Sequence, residues 1–416
     1  MVFSSKLGWF IFGFFAGPVF FIVLFTASFR YGGSSRPEGP PEEGNFSYPF
    51  GAIIPDKPGQ NQDNESDFEK SIKEALLNAS PEGFDSNNDG IGEYEILALT
   101  GGGSNGAFGA GVLCGWSESG TRPEFKVVMG VSTGALQATI AFLGSEYDYN
   151  LEKVYTSFNT ENIYIQRPPV IIPLRESINY SYPLKMIIEK YVTERTLEAV
   201  ATRHAAGRRL YVGTTNLDRQ EFVIWDMGKI ASSGRDDALE LYRKVLLASA
   251  SIPVLLPPVY FEVESRGEKY YEMHCDGNVY VQYFFQKFIL NFKDAVKKIG
   301  LDMNNLDIKL YVINNGRPLM SSYEQVSPKI TSIAGVTINS LFDTLNSSSL
   351  YKMYVLCERY GVDFNIATIS KDKDVTLNPT EFDPGQMKKL FDYGYGLAKD
   401  GYDWIEIPPG VNPDGI

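Results

Sequence analysis

Three short stretches carry side chains suited to acyl-transfer chemistry. In Gly130-Val131-Ser132-Thr133-Gly134 a serine sits between glycines, directly after the apolar run Val127-Val128-Met129 and ahead of the apolar, helix-like stretch Ala135–Leu143. A serine on a sharp strand-to-helix turn needs small neighbours so that its hydroxyl stands clear, and the helix starting there favours negative charge nearby. Upstream, the apolar run Glu95–Thr100 leads into Gly101-Gly102-Gly103-Ser104-Asn105-Gly106-Ala107-Phe108-Gly109-Ala110-Gly111. In such a loop the backbone N–H groups point at whatever lies before the helix N-terminus. Gly101, Gly102, Gly103 and Gly106 are therefore candidate donors to an oxyanion, and Ser132, flanked by Gly130 and Gly134, is the candidate nucleophile. Adjacent parallel strands would bring the two glycine elbows together. The third stretch is Tyr271-Glu272-Met273-His274-Cys275-Asp276-Gly277-Asn278, a strand that ends in an acid and a glycine.

A serine hydroxyl needs a base to take its proton, and the chain has only two histidines. His204 lies in a polar stretch between a helix and the strand that begins near Leu210, and reads as a solvated loop residue. His274 is two residues from Asp276, so on a strand the two share a face. It competes with Asp276 for the role of base or supports the site from behind, as Gly277 does. Asp276 as base requires a raised pKa, obtainable by burial near Leu255, Leu256 and Val259. Asp226 ends a strand-like run and reads as the cap of the next turn, and Cys114 as a buried structural thiol.

The glycine loop alone is ambiguous, because dinucleotide-binding folds use the same GxGxxG spelling. Those folds place an acidic residue at the end of the following strand. Here that strand ends in GxSxG, which disfavours a nucleotide. The pair GGGSNGAFGAG and GVSTG, with the Asp276-Gly277 step, resembles the patatin-like phospholipase family (bacterial type). Ala248-Ser249-Ala250-Ser251-Ile252-Pro253 and Pro257-Pro258-Val259 add to the likeness, which runs from about Glu93 to at least Asn278. The resemblance implies a Ser132–Asp276 dyad, a three-layer α/β/α fold with a largely parallel central sheet, and phospholipid or other acylglycerol esters as substrates. It implies neither a metal nor an organic cofactor. Asn278 departs from the family pattern, where Gly or Ala is usual, and puts the local loop geometry in question. An acyltransferase or thioesterase using the same dyad remains an alternative, as does a non-catalytic membrane scaffold.

The elements that must position these residues alternate along the chain. Strands are expected at Arg209–Thr214, Glu221–Trp225, Lys269–Cys275, Asp307–Asn314 and Asp363–Thr368. Helices are expected at Phe68–Asn78, Asp236–Ala250, Ser332–Tyr360 and within Thr380–Trp404. This alternation predicts one α/β domain with helices on both sheet faces. The apolar loop Tyr164–Arg175 could line an acyl-chain groove or lean on a bilayer. Asp85–Gly90 spells the first half of an EF-hand loop, but Ile96 occupies the position of the bidentate glutamate.

The chain has 416 residues, 44% apolar, with a net charge of −13. That acidity argues against nucleic acid as a partner and against wholesale electrostatic adsorption to anionic lipid, so membrane contact is expected to be hydrophobic or covalent. Three scattered cysteines, Cys114, Cys275 and Cys357, form no CxxC pair and allow at most one disulfide. Leu7–Ser28 carries no charge and at about 1.5 Å per residue is long enough to cross a bilayer. It reads as a membrane anchor, or as a signal peptide cleaved near Thr26-Ala27-Ser28. The expected organisation is an N-terminal membrane segment at 1–31, a Gly/Pro/Ser-rich tether and extension at 32–92, and the hydrolase domain at 93–410. The anchored form implies a membrane location (the inner membrane if the source is bacterial) and the cleaved form a secreted or periplasmic one. The side of the membrane and the oligomeric state stay open, since Lys6 and the amino terminus balance Arg30 and Arg36.

Overall fold

The structure, a computed structural model, describes residues 36–41, 46–54, 66–79, 85, 90–281, 284–316, 325–370, 378–409 and 411. The expected membrane segment Leu7–Ser28 lies outside these residues. Among the described residues no helix is long and apolar enough to cross a membrane.

Among the described residues twelve strands occur in chain order: β1 (Phe46–Ser47), β2 (Ala52–Ile53), β3 (Gly92–Leu99), β4 (Val127–Val131), β5 (Ile165–Gln166), β6 (Asn179–Tyr180), β7 (Arg209–Asn216), β8 (Glu221–Asp226), β9 (Val259–Ser265), β10 (Glu268–Asp276), β11 (Leu306–Asn314) and β12 (Val362–Thr368). Ten of them form one sheet, while β5 and β6 form a separate ribbon. The centre is parallel: β12, β11, β3, β4 and β7 pair in that order. The remaining pairings, of β8 and β10 with β7, of β9 with β10, of β1 with β9 and of β2 with β8, are antiparallel. The expectation of a largely parallel sheet thus describes the centre, and the strand carrying Asp276 belongs to the antiparallel wing.

Alternation along the strands divides the core. Leu97, Leu99, Val128, Leu210 and Val212 enter one apolar cluster, and Ile96, Ala98, Val127, Met129 and Tyr211 enter the other. A sheet buried on both faces reads as near-continuous apolar strands, which is how β3 and β4 are written. Helices Gly106–Glu118, Thr133–Leu143, Ala238–Ser249 and Pro384–Ala398 cover the first face. Helices Asp67–Asn78, Phe285–Lys298 and Ile330–Tyr360 cover the second.

Two features go beyond the expected elements. The first is that residues read as a tether join the fold. Arg36 grips Asp218 with both guanidinium nitrogens at 2.7 and 2.6 Å, and Glu38 accepts the Tyr271 N–H through its carbonyl. Phe68 and Ile72 of the Asp67–Asn78 helix are fully buried. The second is that β9 and the Phe285–Lys298 helix occupy stretches to which no element was assigned. At the boundary, Asp85 accepts the Gly90 N–H, and all three cysteines are unpaired.

Candidate active site

The sheet register brings Ser132 and Asp276 together. β4 pairs with Arg209–Gly213 of β7, and β10 pairs with Thr214–Asn216. β8 pairs with Tyr211–Asn216, overlapping both, so β4 and β10 must share the other edge of β7. They run toward each other and stop head to head. Val131 faces Gly213 and Asp276 faces Thr214, so the turn at Ser132 opens beside the Asp276 carboxylate.

Ser132 has φ 56° and ψ −128°, a left-handed conformation that a non-glycine residue adopts at a cost of about 1–3 kcal/mol. Ser249 holds the turn: its hydroxyl accepts the Ser132 N–H at 3.0 Å and donates to the Gly213 carbonyl at 2.7 Å. The strain is sustained because there is no room to relax. A Cβ on Gly130 would lie 2.4 Å from the Gly134 carbonyl oxygen, and one on Gly134 would lie 2.3 Å from that of Leu99.

Asp276 is buried. Its Oδ1 accepts the Asn278 N–H at 2.9 Å, while Oδ2 has no aligned partner among the described residues. The Ser132 hydroxyl is close enough to pull the carboxyl's pKa down, as does the Asn278 N–H, but burial outweighs both and pushes it up to about 7. A carboxyl poised there can take a proton and return it near neutrality. Asn278, the departure from the family pattern, lies across the glycine loop: a Cβ on Gly101 would overlap its amide at 1.8 Å. The glycine at 101 and the asparagine at 278 fit one another, so the glycine loop packs against the end of the strand that carries Asp276.

Within the loop the donors divide. Ser104 N–H goes to the Pro379 carbonyl, Asn105 N–H to Gly102, and Gly106 N–H to the Gly103 and Ser104 carbonyls. Gly106 is therefore corrected from donor to packing residue; a Cβ there would meet Thr133 Oγ1 at 2.5 Å. The N–H groups of Gly101, Gly102 and Gly103 donate to no described residue. Gly103 lines the same cavity as Ser132.

The loop is held by amides that sequence reasoning did not single out. Asn315 donates to the Thr100 carbonyl and to Gln137 Oε1, both at 3.0 Å, and accepts the Gly109 N–H at 3.0 Å. Gln137 in turn donates to the Gly106 carbonyl. Asn315 stands just beyond β11, far from the loop in sequence, and only the parallel pairing of β11 with β3 brings it there.

The histidines take other places. His274 is fully buried, its Nδ1 3.0 Å from Thr214 Oγ1 and its Nε2 3.7 Å from Glu272 Oε2, with Phe261 edge-on to its ring. Burial lowers its pKa against the pull of Glu272. His204 is corrected from a solvated loop residue. It ends the Glu194–Ala205 helix, half-buried, with Nδ1 3.8 Å from Asp226 Oδ1. Asp226 caps the following helix through the Lys229 N–H and accepts the Ser71 hydroxyl at 2.6 Å, remote from Ser132. Cys114 is partly buried, in the helix after the glycine loop.

From Ser132 a cavity of about 110 Å³ runs between the helices, walled mainly by Leu136, Ile140, Leu184, Ile188, Leu246 and Leu256. Tyr164 reaches this wall, but Ile171 and Ile172 do not, so the expected apolar loop contributes its first residue only.

Residues 97–282 match the family described as Patatin-like phospholipase. No curated protein matches the chain. Among solved structures, VipD from Legionella pneumophila is 12% identical over 73% of this chain and 68% of its own, with a TM-score of 0.30. Human GIVD cytosolic phospholipase A2 is 10% identical over 80% of this chain and 53% of its own, also at 0.30. Neither superposition is close enough to carry an argument.

Proposed function

We propose, from the match of residues 97–282 to the patatin-like phospholipase family, that this chain is a lipid acyl hydrolase working through a Ser132–Asp276 dyad. The family match supports lipid-ester hydrolysis. The observation that carries the finer reading is the head-to-head meeting of β4 and β10 on β7, with a strained serine at one end and a buried acid of raised pKa at the other.

In this reading the acyl chain of an ester lies in the apolar cavity, with its carbonyl at Ser132. Asp276, ionised, takes the hydroxyl proton as Oγ attacks. The oxyanion that forms accepts N–H groups of the Gly101–Gly103 segment. Collapse to the acyl-enzyme expels the alcohol, which takes the proton from Asp276. Water then attacks the acyl-enzyme with Asp276 again as the base, releasing the fatty acid and Ser132. The Leu7–Ser28 segment would hold the enzyme on the membrane that supplies its substrate.

Fluorophosphonate labelling of the full chain tests the nucleophile. Wild type should label and release fatty acid from phospholipid, and Ser132→Ala should do neither while keeping its circular dichroism. Hydrolysis at the wild-type rate by Ser132→Ala would remove the assignment.

A further inference from the structure

The wall of the apolar cavity has an outer side that is also apolar. Helix Tyr182–Tyr191 turns Leu184, Ile187 and Ile188 into the cavity. Tyr182 and Met186, one turn apart, face solvent, Met186 at 63% exposure. The same alternation holds at the neighbouring elements. Tyr164 lines the cavity while Ile165 of β5 is exposed, and Leu255 and Leu256 line it while Val254 is 59% exposed. Val254 has φ 69°, a conformation that is an outlier for a β-branched residue. Val170, in the turn Pro169–Leu174, is 81% exposed, more than any other large apolar side chain described.

These positions belong to one piece of surface. Ile165 pairs with Tyr180, the Ile178 N–H donates to the Val254 carbonyl at 2.8 Å, and the Arg167 N–H donates to the Ile178 carbonyl at 2.9 Å. Tyr180 and Tyr182 stand ring to ring at 6.5 Å. The charge here runs opposite to the rest of the chain. Residues 163–190 hold Arg167, Arg175, Lys185 and Lys190 against Glu176 and Glu189, a positive balance in a chain of net charge −13. Arg167 pairs with Glu176 and Lys185 with Glu189, which leaves the excess on Arg175 and Lys190.

A contiguous exposed apolar face marks an interaction site. Apolar side chains framed by Lys and Arg suit the boundary between head groups and acyl chains of an anionic bilayer, where burial of the first and attraction of the second act together. We infer that the face built from β5–β6, the Pro169–Leu174 turn, the outer side of helix Tyr182–Tyr191 and Val254 docks on an anionic lipid surface and seats the acyl cavity against it. Its purpose rests on the acyl-hydrolase reading; its existence as a docking face does not.

The full chain, wild type and Val170→Ser/Met186→Ser, is assayed on a water-soluble short-chain ester and on phospholipid in vesicles of phosphatidylglycerol with phosphatidylcholine. Hydrogen exchange of residues 163–190 is followed on the same vesicles, which needs no turnover. The double variant should hydrolyse the soluble ester within about twofold of wild type and the vesicular lipid at least about tenfold more slowly. Vesicles should slow exchange over 163–190 in wild type and less in the variant. Arg175→Gln/Lys190→Gln should remove the advantage of anionic over purely zwitterionic vesicles. An unchanged vesicle rate, an equal loss on both esters, or no vesicle-dependent protection overturns the docking face. Protection without hydrolysis of either ester by wild type keeps the docking face and sinks the hydrolase reading instead.

Discussion

Replacing Asp276 with Asn separates what the carboxyl does for chemistry from what it costs the fold. The shift from 3.8 to about 7 corresponds to about 4 kcal/mol, at about 1.4 kcal/mol per pKa unit. The sign follows from where the proton is held more tightly. The folded state keeps it up to about pH 7, whereas the unfolded chain releases it near pH 4. Stability therefore falls as pH rises between those values and is constant above them. Asn keeps the shape, can still accept the Asn278 N–H, and cannot ionise.

Asp276→Asn should accordingly be more stable than wild type by about 2–4 kcal/mol at pH 8, with the advantage falling below about 1 kcal/mol near pH 4. For roughly 300 residues unfolding cooperatively, 4 kcal/mol corresponds to a rise in Tm of about 6 °C. Denaturant titrations of both proteins at pH 4, 6 and 8 read the difference directly. The same variant should lose at least about 10³-fold in turnover, having lost its proton acceptor. A variant no more stable than wild type at pH 8, or a difference that does not change with pH, would refute the claim that a buried carboxyl is held there against its tendency to ionise.

Three further outcomes are expected. With ionised Asp276 as the proposed base, kcat/KM on a soluble ester should rise about tenfold per pH unit below about 7 and then level off; a profile flat from pH 5 to 8 would exclude Asp276. His274→Ala should cost about 2–4 kcal/mol of stability, through the space left beside Phe261 and the loss of the Thr214 bond, yet retain at least about a tenth of the turnover in its folded fraction. Asn315→Ala removes three side-chain hydrogen bonds from the glycine loop and should lower turnover about 10–10²-fold, with kcat rather than KM affected, because the oxyanion donors lose their placement; an unchanged kcat would make the amide network structural only.

Much of the site was legible because its parts are local. GxSxG between an apolar strand and an apolar helix declares a tight elbow, and the two glycine turns sit in consecutive strand–helix units, so their adjacency needs only β3 beside β4. The Val259–Ser265 strand and the Phe285–Lys298 helix were legible too and went unread. Val259, Phe261 and Val263 alternate with polar residues, and Phe285, Phe288, Ile289 and Phe292 recur at helical spacing. What no local pattern contains is partnership across the chain. Pro379 accepts the Ser104 N–H, Asn315 grips Thr100 and Gly109, and Arg36 closes on Asp218. Each depends on segments more than 150 residues apart in sequence being folded against one another. The antiparallel approach of β10 was hidden for the same reason, since a strand's direction is set by its neighbours.

Why an aspartate and not the nearby histidine should serve as base follows from where each side chain can put a proton. The Trp225 indole can only donate, and it donates to Thr214 Oγ1 at 2.8 Å. Thr214 is fully buried, so its own hydroxyl proton needs an acceptor, and among its described partners only His274 Nδ1, at 3.0 Å, can be one. That fixes the neutral ring with its proton on Nε2, directed toward Glu272 Oε2, whose carboxylate is held by Arg219 at 2.7 Å. The basic nitrogen is thereby occupied by Thr214 and the other already carries a hydrogen, so the imidazole has no lone pair to offer Ser132. Burial, which lowers the histidine's pKa, further opposes a second proton. At Asp276 the same physics runs the other way. One oxygen is satisfied by Asn278, the other has no aligned partner among the described residues, and burial raises the carboxyl's hold on a proton beside the Ser132 hydroxyl. Two residues on one strand face thus differ in kind: His274 ties β10 to β7 through Thr214, and the acid at the strand's end is the one left able to take a proton, the role proposed for it.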